Sequence, residues 1–573
     1  MQYKIIGKND YLINPIEVIL HNRGIKNTNE FLNVNENHTY NYLQLENIKK
    51  AVDCLLAHLQ NNNIIYIQID ADFDGFSSAA LLYNYIKLIY PDSNIFWELP
   101  EGKEHGIYIE KIPENVSLVI IPDAGTNQTK EHKLLKERGI DCIVLDHHEI
   151  DKRIKHNEQY AIIVNNQICD YPNKSLSGVG IVYKFCQALD DKLNVRYANN
   201  FLDLVACGNI ADVMNLRSLE TRYYVLKGLK NITNPFLKAL FEKQSFFTKG
   251  IINITNVAFY IAPLVNACVR FGTQEEKENM FKAFIGSNET LPYKKRGSKE
   301  EIQQPISEAM ARICTNIKAK QNRERDKNLQ IIEKRIQEKN LLKNKILIVD
   351  VTGILEHTLT GLVASQLAEK YKRPVILLRY NEEKKHFGGS ARGYDKGVIK
   401  DIKQFLLESG KFIYAMGHPN ACGIGITFNN IIEVNDIFNR KLKDVEFDDI
   451  YNVDFIIPAN GVTKDFIFNM SKYGDIWGGG IDEPLIAFTG LVVIADDINI
   501  IGKKQNTIKF TYRGIEFIKF NSSEQQINNI KNSGKTVELE VIGRCKINEF
   551  KGNVIAQVMI SDFNVKKTKK FVF

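Results

Sequence analysis

The sequence lacks the features that would point to secretion, a membrane or thiol-bound metal. Its nine cysteines are scattered singly and none forms a C-x-x-C pair, so zinc ribbons and dithiol redox motifs have no support. An odd number of cysteines is typical of a protein in a reducing cytosol. The first residues contain no apolar signal segment, and no run approaches the roughly 18 apolar residues of a membrane helix. We therefore expect a soluble, cytoplasmic protein without membrane attachment.

Composition and charge are those of an ordinary globular protein. The chain has 573 residues, of which 44% are hydrophobic and 25% are charged. At roughly 100–200 residues per domain, this length predicts three to five domains. The net charge of +7, from 75 basic and 68 acidic residues, permits a nucleic-acid partner but does not require one.

Short apolar runs alternate with helical patterns from about residue 45. Four such runs, at 63–69, 116–121, 142–145 and 160–164, are each followed within two residues by Asp or Asn. A helical pattern over 77–90 separates the first two runs. This alternation predicts βαβ units and a mostly parallel sheet, followed by a helix-rich stretch up to about residue 284.

The later chain divides into three further parts. A charged segment at 300–343, with few apolar residues at helical spacing, predicts a long exposed helix joining two domains. A second α/β unit begins at residue 345, and alternating segments at 485–498, 507–520 and 535–562 predict a small β-barrel of OB type. The predicted fold class is thus α/β with a C-terminal β-barrel. The predicted parts are an N-terminal segment 1–44, a parallel-sheet domain 45–300, a connecting helix 301–344, a smaller α/β domain 345–430, and an OB-like domain with its tail 431–573.

Carboxylates and histidines follow the predicted strands. Ligands of open α/β sheets bind at the carboxyl ends of the strands, so we expect these side chains to converge. They are Asp70, Asp72 and Asp74 after the first run, Asp123 after the second, Asp146, His147 and His148 after the third, and Asp212 in the helix-rich stretch.

Each of these features has a simpler reading by itself. The Asp70–Asp74 motif also suits a solvated or calcium-type loop, Asp123 a turn or N-cap, and His147–His148 a surface pair. Together, mixed carboxylate and imidazole ligands suit Mn²⁺ or Mg²⁺. A divalent cation would neutralise the crowded carboxylates, and Gly75 would allow a tight turn into the following helix. There are enough ligands for two ions at the roughly 3.5–4 Å spacing used in phosphoester hydrolysis.

Nine short motifs follow one another along the chain. They are DADFDG at 70–75, PDAG at 122–125, DHH at 146–148, SGVGIVYKF at 177–185, GNIADV at 208–213, APLVNACVRFG at 262–272, NRER at 322–325, GGSAR at 388–392 and MGHPNACG at 416–423. In this order they resemble the DHH phosphoesterase superfamily, and within it most closely the RecJ family of single-strand-specific exonucleases. The resemblance runs from about residue 45 to 560.

The resemblance implies roles for the clustered side chains. It makes Asp72, Asp74, Asp123, His147 and Asp212 the metal ligands of two Mn²⁺ or Mg²⁺ ions, with Asp74 and Asp123 bridging. Asp70 and Asp146 become supporting or additional ligands, and His148 a group on the phosphate side. The reaction would be attack of activated water on phosphorus without a covalent intermediate.

Further residues would contact the substrate. The second α/β unit resembles the DHH-associated domain, in which Gly389, Ser390, Arg392 and His418 would bind phosphate. A tight hairpin with an incidental Arg is the alternative for 388–392. Asn266 and Arg270 match another family motif and would also reach phosphate, unless they serve core packing and the surface.

Three places depart from the family pattern or match it only loosely. Met416 stands where the family has glycine, which affects the loop around His418. In the stretch 100–107 the family has an Arg and a Gly-Tyr-Gly, for which Lys103 and His105-Gly106 would substitute. The segment 473–484 loosely resembles the family's lead into the OB domain.

The predicted barrel supplies candidate nucleic-acid contacts. An OB fold binds single strands through a basic groove and stacking aromatics. The candidates are Lys509, Tyr512, Arg513, Phe517 and Lys519, some of which must instead belong to the barrel core. A small basic patch at 566–570 ends the chain.

The leading function is a metal-dependent 5′-to-3′ exonuclease for single-stranded DNA in repair or recombination, acting as a monomer. A helicase or a single-strand-binding protein is a candidate partner. One alternative is a DHH phosphodiesterase for short oligonucleotides or cyclic dinucleotides, which the OB-like extension disfavours. Another is a non-catalytic DNA-binding scaffold, which the retained acidic residues disfavour.

Overall fold

A computed structural model describes residues 1–99, 106–151, 159–295, 297, 299–445, 450–550 and 552–566. Lys103, His105 and the basic residues 567–570 therefore lie outside the described part of the chain. By its internal contacts the chain forms two bodies. The first body comprises Asn29–Gln321 and Asp475–Asp482, and the second comprises Met1–Thr28, Asn322–Gly474 and Glu483–Phe573.

The strands, in chain order, are β1 Gln2–Ile5, β2 Ile65–Gln68, β3 Ile95–Glu98, β4 Leu118–Pro122, β5 Asp141–Asp146, β6 Ile162–Asn165, β7 Thr290–Lys294, β8 Glu301–Pro305, β9 Leu347–Asp350, β10 Val375–Asn381, β11 His386–Arg392, β12 Phe412–His418, β13 Ala421–Ile426, β14 Ile450–Val453, β15 Phe455–Pro458, β16 Ile486–Ile494, β17 Asn499–Ile501, β18 Thr507–Tyr512, β19 Ile515–Lys519, β20 Thr536–Phe550 and β21 Asn553–Lys566.

The helices are α1 Pro15–Asn22, α2 Thr28–Leu32, α3 Ile48–Gln60, α4 Phe73–Ile89, α5 Thr129–Glu137, α6 Gly178–Leu193, α7 Leu202–Ala211, α8 Leu219–Leu229, α9 Pro235–Thr248, α10 Ile254–Asn256, α11 Ala262–Phe271, α12 Gln274–Phe284, α13 Ile306–Glu338, α14 His357–Tyr371, α15 Ile402–Leu407, α16 Phe428–Lys441, α17 Lys464–Ser471 and α18 Glu524–Lys531.

The first body is built on a five-stranded sheet in the order β3-β2-β4-β5-β6, with every neighbouring pair parallel. The predicted parallel sheet is thus confirmed. The strands β2 and β4 are buried along their whole length, as expected of a parallel sheet covered on both faces. From β2 the chain passes first to β3 on one side and then to β4 on the other. The carboxyl ends of β2 and β4 therefore flank the point where ligands bind in such sheets.

The helix after β2 begins four residues earlier than the apolar pattern predicts. It starts at Phe73, so that Asp72 is its N-cap and both Asp74 and Gly75 lie in its first turn. Gly75 is therefore not the turn residue that the sequence suggested. A Cβ on Gly75 would lie 2.6 Å from the carbonyl oxygen of Asp70, so glycine is required by close packing.

One helical stretch corrects the expectation that no run suits a membrane span. Ile254–Phe271 has a mean hydropathy of 1.3 over 18 residues, and half of it is buried inside the protein. It comprises α10, a π-helical turn Val257–Ile261 and α11. It packs against α4, α7, α9 and α12 of the first body, which is what a core helix does. Its length and composition would allow it to cross a membrane, but its packing is that of a core helix.

The connecting segment differs from its prediction at the start. Residues 301–305 form strand β8, which pairs with β7, and the helix α13 begins only at Ile306. Along this helix Ile317, Ile332 and Ile336 are buried, whereas Ile331 is exposed. The helix begins in the first body and ends in the second.

The smaller α/β domain of the second body has a mixed sheet in the order β12-β13-β11-β10-β9. Only β9 and β10 are parallel. The predicted end of this domain at residue 430 is too early, because α16 runs to Lys441. Its Val434 and Phe438 share a core cluster with Ile346 and Ile424, so the domain extends through α16.

The C-terminal part contains a seven-stranded sheet in the order β15-β16-β20-β21-β19-β18-β17. The long strands β20 and β21 pair in antiparallel fashion, with an irregularity between Ile542 and Gly543. The N-terminal strand β1 pairs with β14, so residues 1–28 belong to this second body and not to a separate N-terminal segment.

A buried ion pair ties α6 to α8 in the first body. Lys184 Nζ lies 2.6 Å from Glu220 Oε1, and both side chains are almost completely buried. Glu220 also accepts hydrogen bonds from the Tyr40 amide, the Tyr171 hydroxyl and the Asn173 amide group. On the same helix as Lys184, Lys192 forms an exposed pair with Asp53.

We expect Lys184→Met to destabilise the first body strongly, because Glu220 would stay buried without its cation. Loss of one partner of a buried pair typically costs about 3–5 kcal/mol. Both tryptophans of the chain, Trp97 and Trp477, lie in this body, so tryptophan fluorescence during urea denaturation follows its unfolding. Lys192→Met is the matched control and should cost about 1 kcal/mol or less. Equal midpoints for the two variants would contradict this assignment.

Candidate metal centre

Three neighbouring strands deliver the acidic residues. Asp70 and Asp72 follow β2, Asp123 follows β4, and Asp146 is the last residue of β5. Because β2, β4 and β5 are adjacent and parallel, these residues emerge at the same edge of the sheet. Asp212 comes from elsewhere: it directly follows α7.

Two groups of three side chains form at this edge, each with its ligand atoms within 4.8 Å of one another. The first group is Asp70, Asp72 and Asp123, and the second is Asp74, His147 and Asp212. An overlapping group joins Asp123, His147 and His148, so the two sets are contiguous. All five residues predicted as metal ligands fall within these groups, and Asp70 is the sixth.

His147 belongs to the second group and also lies close to Asp123 of the first. Its Nε2 is 3.2 Å from Asp123 Oδ1 and 3.5 Å from Asp212 Oδ2. Its backbone amide donates to Asp146 Oδ1 at 2.7 Å, so Asp146 fixes the chain at this point.

Asp74 is held by the N-terminus of α6. Its carboxylate accepts hydrogen bonds from the backbone amides of Gly178 and Val179 and from the Ser177 hydroxyl, at 2.6, 3.3 and 2.9 Å. The unpaired amides and the dipole of a helix N-terminus favour an anion at this position. Asp72 caps α4 in the same way through the amide of Gly75. Two helix N-termini thus orient two of the carboxylates.

Glycines make room for the carboxylates. A Cβ on Gly178 would lie 2.3 Å from Asp123 Oδ1, and one on Gly208 would lie 2.4 Å from Asp74 Oδ1. These glycines explain the SGVG and GNIADV motifs, whose physical role the sequence did not reveal. Only the approach of α6 and α7 to the strand ends shows why no side chain is tolerated there.

The electrostatics of the cluster are unfavourable for free carboxylates. Burial and the charge of Asp72 raise the pKa of Asp74 to about 7. Burial and the charge of Asp74 raise the pKa of Asp123 well above its usual value, and burial with Asp74 and Asp72 raises the pKa of Asp212 to about 8. Asp123 Oδ1 is buried, and apart from the approach of His147 Nε2 to 3.2 Å it has no hydrogen-bond donor among the described residues. A divalent cation is the group that such oxygen and imidazole donors fit.

Asp146 and His148 form a separate pair. Asp146 Oδ1 lies 2.8 Å from His148 Nδ1, and Oδ2 accepts from the Thr126 amide. Burial favours the neutral imidazole, but this bond and the charge of Asp146 outweigh it and raise the pKa of His148 to about 9. The His148 side chain is 55% exposed, so it presents a cationic N–H group at the rim of the cluster.

Neighbouring residues support the loops. Asn266 Oδ1 accepts a hydrogen bond from the Phe73 amide at 3.1 Å, which holds the start of α4. Arg270 is one turn further along α11 and exposed. The amide group of Gln68 contacts Gly106 and Tyr108, and Gln128 Oε1 accepts from Ile107, a support that no sequence motif revealed.

In the second body, the stretch 388–392 is neither a loop nor a tight hairpin. It belongs to β11, an inner strand between β10 and β13. Gly389 permits close strand packing, since a Cβ would lie 2.0 Å from the Leu377 carbonyl oxygen. The glycines of this stretch therefore do not form the turn of a hairpin, although β10 and β11 themselves pair as one.

The same sheet aligns the predicted phosphate contacts. Arg392 pairs with Ala421, which pairs in turn with His418, so Arg392 and His418 lie on one face two strands apart, at about 10 Å. Ser390 and Met416 form the next row across Gly423. Met416 thus stands beside these side chains, and Gly417 keeps the positive φ of 122° that glycine favours.

The five candidate nucleic-acid contacts of the C-terminal sheet differ in their burial and in their partners. Phe517 is completely buried and stacks on Phe510 at 5.0 Å between ring centroids, so it belongs to the core and cannot stack on a base. Lys509 pairs with Glu516, and Lys519 donates to the Ser561 carbonyl oxygen. Tyr512 is partly accessible, and Arg513, with its guanidinium 5.9 Å from the Tyr512 ring, is exposed.

Comparison with known proteins agrees with this architecture. The family model "DHH family, N-terminal domain" matches residues 63–209, and "RecJ OB domain" matches residues 453–562. The SPbeta prophage-derived single-strand DNA-specific exonuclease YorK of Bacillus subtilis (strain 168) is 48% identical over 100% of this chain and 99% of its own length. RecJ of Bacillus subtilis (strain 168) is 26% identical over 94% of this chain and 66% of its own length.

The fold also matches a solved structure. RecJ from Thermus thermophilus in complex with Mn²⁺ superposes with a TM-score of 0.73 and 18% identity, covering 97% of this chain and 76% of that chain. The fold and the acidic strand-end site define a DHH-type phosphoesterase. The chain belongs to the RecJ-like family of DHH exonucleases.

We expect Asp123→Asn to stabilise the metal-free protein, because it removes the unfavourable ionisation of a buried carboxyl group that lies among four other carboxylates. Thermal unfolding, followed by tryptophan fluorescence in the presence of a chelator, should show a higher Tm for Asp123→Asn than for the wild type. Each kcal/mol gained in the free energy of unfolding should raise Tm by about 2–4 °C. Asp141→Asn, at the opposite end of β5, is the control. Asp141 is paired with His58 and Lys136, so its neutralisation should not raise Tm. A lower Tm for Asp123→Asn would contradict the repulsion described here.

Proposed function

We propose that this chain degrades single-stranded DNA from 5′ to 3′ as a metal-dependent exonuclease in DNA repair or recombination. The observation that carries the proposal is the pair of contiguous ligand groups, with six carboxylate and imidazole ligands at the carboxyl edge of the sheet. The family membership and the OB domain favour DNA over a small substrate. The relatives named above are single-strand DNA-specific exonucleases by name.

Two Mn²⁺ or Mg²⁺ ions would be held by Asp70, Asp72 and Asp123 and by Asp74, His147 and Asp212. When bound, they supply positive charge to the scissile phosphate and lower the pKa of water. The Thermus thermophilus RecJ structures contain Mn²⁺ and Mg²⁺. The ions would also remove the repulsion among the carboxylates.

The protein's own groups orient the substrate. His148, held protonated by Asp146, donates a charge-assisted hydrogen bond to a phosphate oxygen at the rim of the cluster. Arg270 offers a second cation on the same body. In the second body, Arg392 and His418 form a row suited to a further phosphate, with Ser390 as a hydroxyl donor. We further propose that the protein is a cytoplasmic monomer that acts with a helicase or a single-strand-binding protein.

The test is digestion of labelled oligonucleotides with Mn²⁺. A 3′-labelled single strand should shorten progressively, a 5′-labelled one should release labelled mononucleotide at once, and a duplex should persist. Asp74→Ala should abolish digestion, because the second ligand group loses a carboxylate. Asp53→Asn, which changes an exposed carboxylate on α3, is the matched control and should digest like the wild type.

Other outcomes would select the alternatives. Cleavage of dinucleotides alone would indicate a small-substrate phosphodiesterase. DNA binding without digestion at any Mn²⁺ concentration would indicate a scaffold. Digestion that is indifferent to Asp74→Ala would refute the proposed site.

We also expect DNA binding to weaken with salt, because phosphate contacts release counterions. Raising NaCl from about 50 to about 200 mM should raise the Kd of a catalytically inactive variant for a single strand by roughly 10-fold or more. Fluorescence anisotropy with a labelled oligonucleotide measures this. An unchanged Kd would argue against phosphate-dominated binding.

A further inference from the structure

The segment Asp475–Asp482, which we call the strap, belongs to the first body although the chain on both sides of it belongs to the second. The strap is a small hairpin in which Gly478 and Ile481 exchange backbone hydrogen bonds at 2.9 and 3.0 Å. Its residues Ile476 and Trp477 are buried. The strap therefore packs in the first body without being part of its sheet.

Three hydrogen bonds fix the strap to the chain that follows Asp212. The Leu216 amide donates to the Gly479 carbonyl oxygen at 2.8 Å, and Arg217 Nε donates to that of Gly480 at 2.7 Å. Arg222 Nη1 donates to the Ile476 carbonyl oxygen at 3.0 Å. Arg222 is completely buried, so the last bond is shielded from water.

Asp212 stands at a strained helix end. The Val213 amide donates to the Ile210 carbonyl oxygen and the Met214 amide to that of Asn209, which is the double bond of a Schellman motif. The left-handed residue of this motif is normally glycine, but here it is Val213, with φ of 54°. A β-branched residue in this conformation is strained and persists only where the surroundings hold it.

The strap packs against this helix end. A Cβ on Gly479 would lie 2.3 Å from the Met214 carbonyl oxygen and 2.6 Å from that of Val213. The backbone of the strap therefore lies directly against the two peptide groups that follow Asp212. Backbone atoms cannot move aside as the end of a flexible side chain can, so only glycine allows this contact.

We propose that the strap holds Val213 in its left-handed conformation and thereby positions the Asp212 carboxylate for the divalent cation at Asp74, His147 and Asp212. The proposal rests on the metal site of the proposed function. Asp212 needs such support more than its partners do, because it follows a helix end. His147 directly follows a strand of the sheet, and Asp74 is held by the N-terminus of α6. Residues of the strap are thus positioning residues for a metal ligand.

The experiment measures Mn²⁺ binding to the metal-free full-length protein by calorimetry or by the loss of the free Mn²⁺ electron-resonance signal. Gly479→Ala should raise the Kd of one of two ions by about 10-fold or more, as loss of support for a ligand typically does. Digestion of single-stranded DNA by this variant should recover at higher Mn²⁺ concentration. Affinity for a single strand without metal should be unchanged.

Two variants sharpen the result. Gly474→Ala is the matched control, because a Cβ at this nearby glycine meets nothing within 4 Å, and it should bind Mn²⁺ like the wild type. Val213→Gly added to Gly479→Ala should restore part of the affinity, because glycine adopts the left-handed conformation without support. A purely structural role of the strap would not produce this rescue.

Clear results would overturn the proposal. A folded Gly479→Ala protein that binds both ions as Gly474→Ala does would refute it, and so would weak binding that Val213→Gly leaves unchanged. If Gly479→Ala does not fold, Arg217→Met removes one strap bond without adding a clash and should weaken the same ion by roughly 5-fold, equivalent to one hydrogen bond. Wild-type protein that binds no Mn²⁺ would refute the proposed metal site itself, a result distinct from a failure confined to the strap.

Discussion

Repulsion among buried carboxylates is the constraint on which the first body depends. Asp123 is buried within the cluster, and both this burial and the charges of its neighbours raise the pKa of its carboxyl group. Burying such charges is costly unless a cation compensates them. The carboxylates of this cluster are concentrated at one edge of the sheet of the first body. This concentration of unfavourable interactions at one place identifies the functional site better than any single residue does.

The helices around the sheet reduce that cost. Backbone amides at the N-terminus of α6 donate hydrogen bonds to Asp74, and one at the N-terminus of α4 donates to Asp72. Amides that have no partner within their helix are thereby paired with carboxylates. The same contacts fix the direction of the lone pairs that remain. Glycines at 178 and 208 let the helices approach closely enough to do this. Packing, capping and preparation of a cation site are therefore one set of interactions.

The second body offers a different kind of surface. Its inner strand β11 and the edge strand β12, which are separated by β13, set Arg392 and His418 in one row, because antiparallel register places their side chains on the same face. The C-terminal sheet leaves Tyr512 and Arg513 accessible and buries Phe517. Periodicity alone could not sort these three, since alternation identifies two faces but not which one meets the core.

The sequence alone determined the parallel sheet, the order of the domains and the residues of the acidic cluster, because strand-end carboxylates and ordered motifs are local signals. It misplaced the start of α4 and did not place 388–392 within an inner strand of a sheet. Each of these depends on contacts made far along the chain. Tertiary structure alone decided that Asp74 is held by α6, that Gly178 and Gly208 clear space for carboxylates, and that the strap meets the end of α7. Arg217 and Gly480, for example, are 263 positions apart in the chain, and no local pattern encodes which distant backbone will approach.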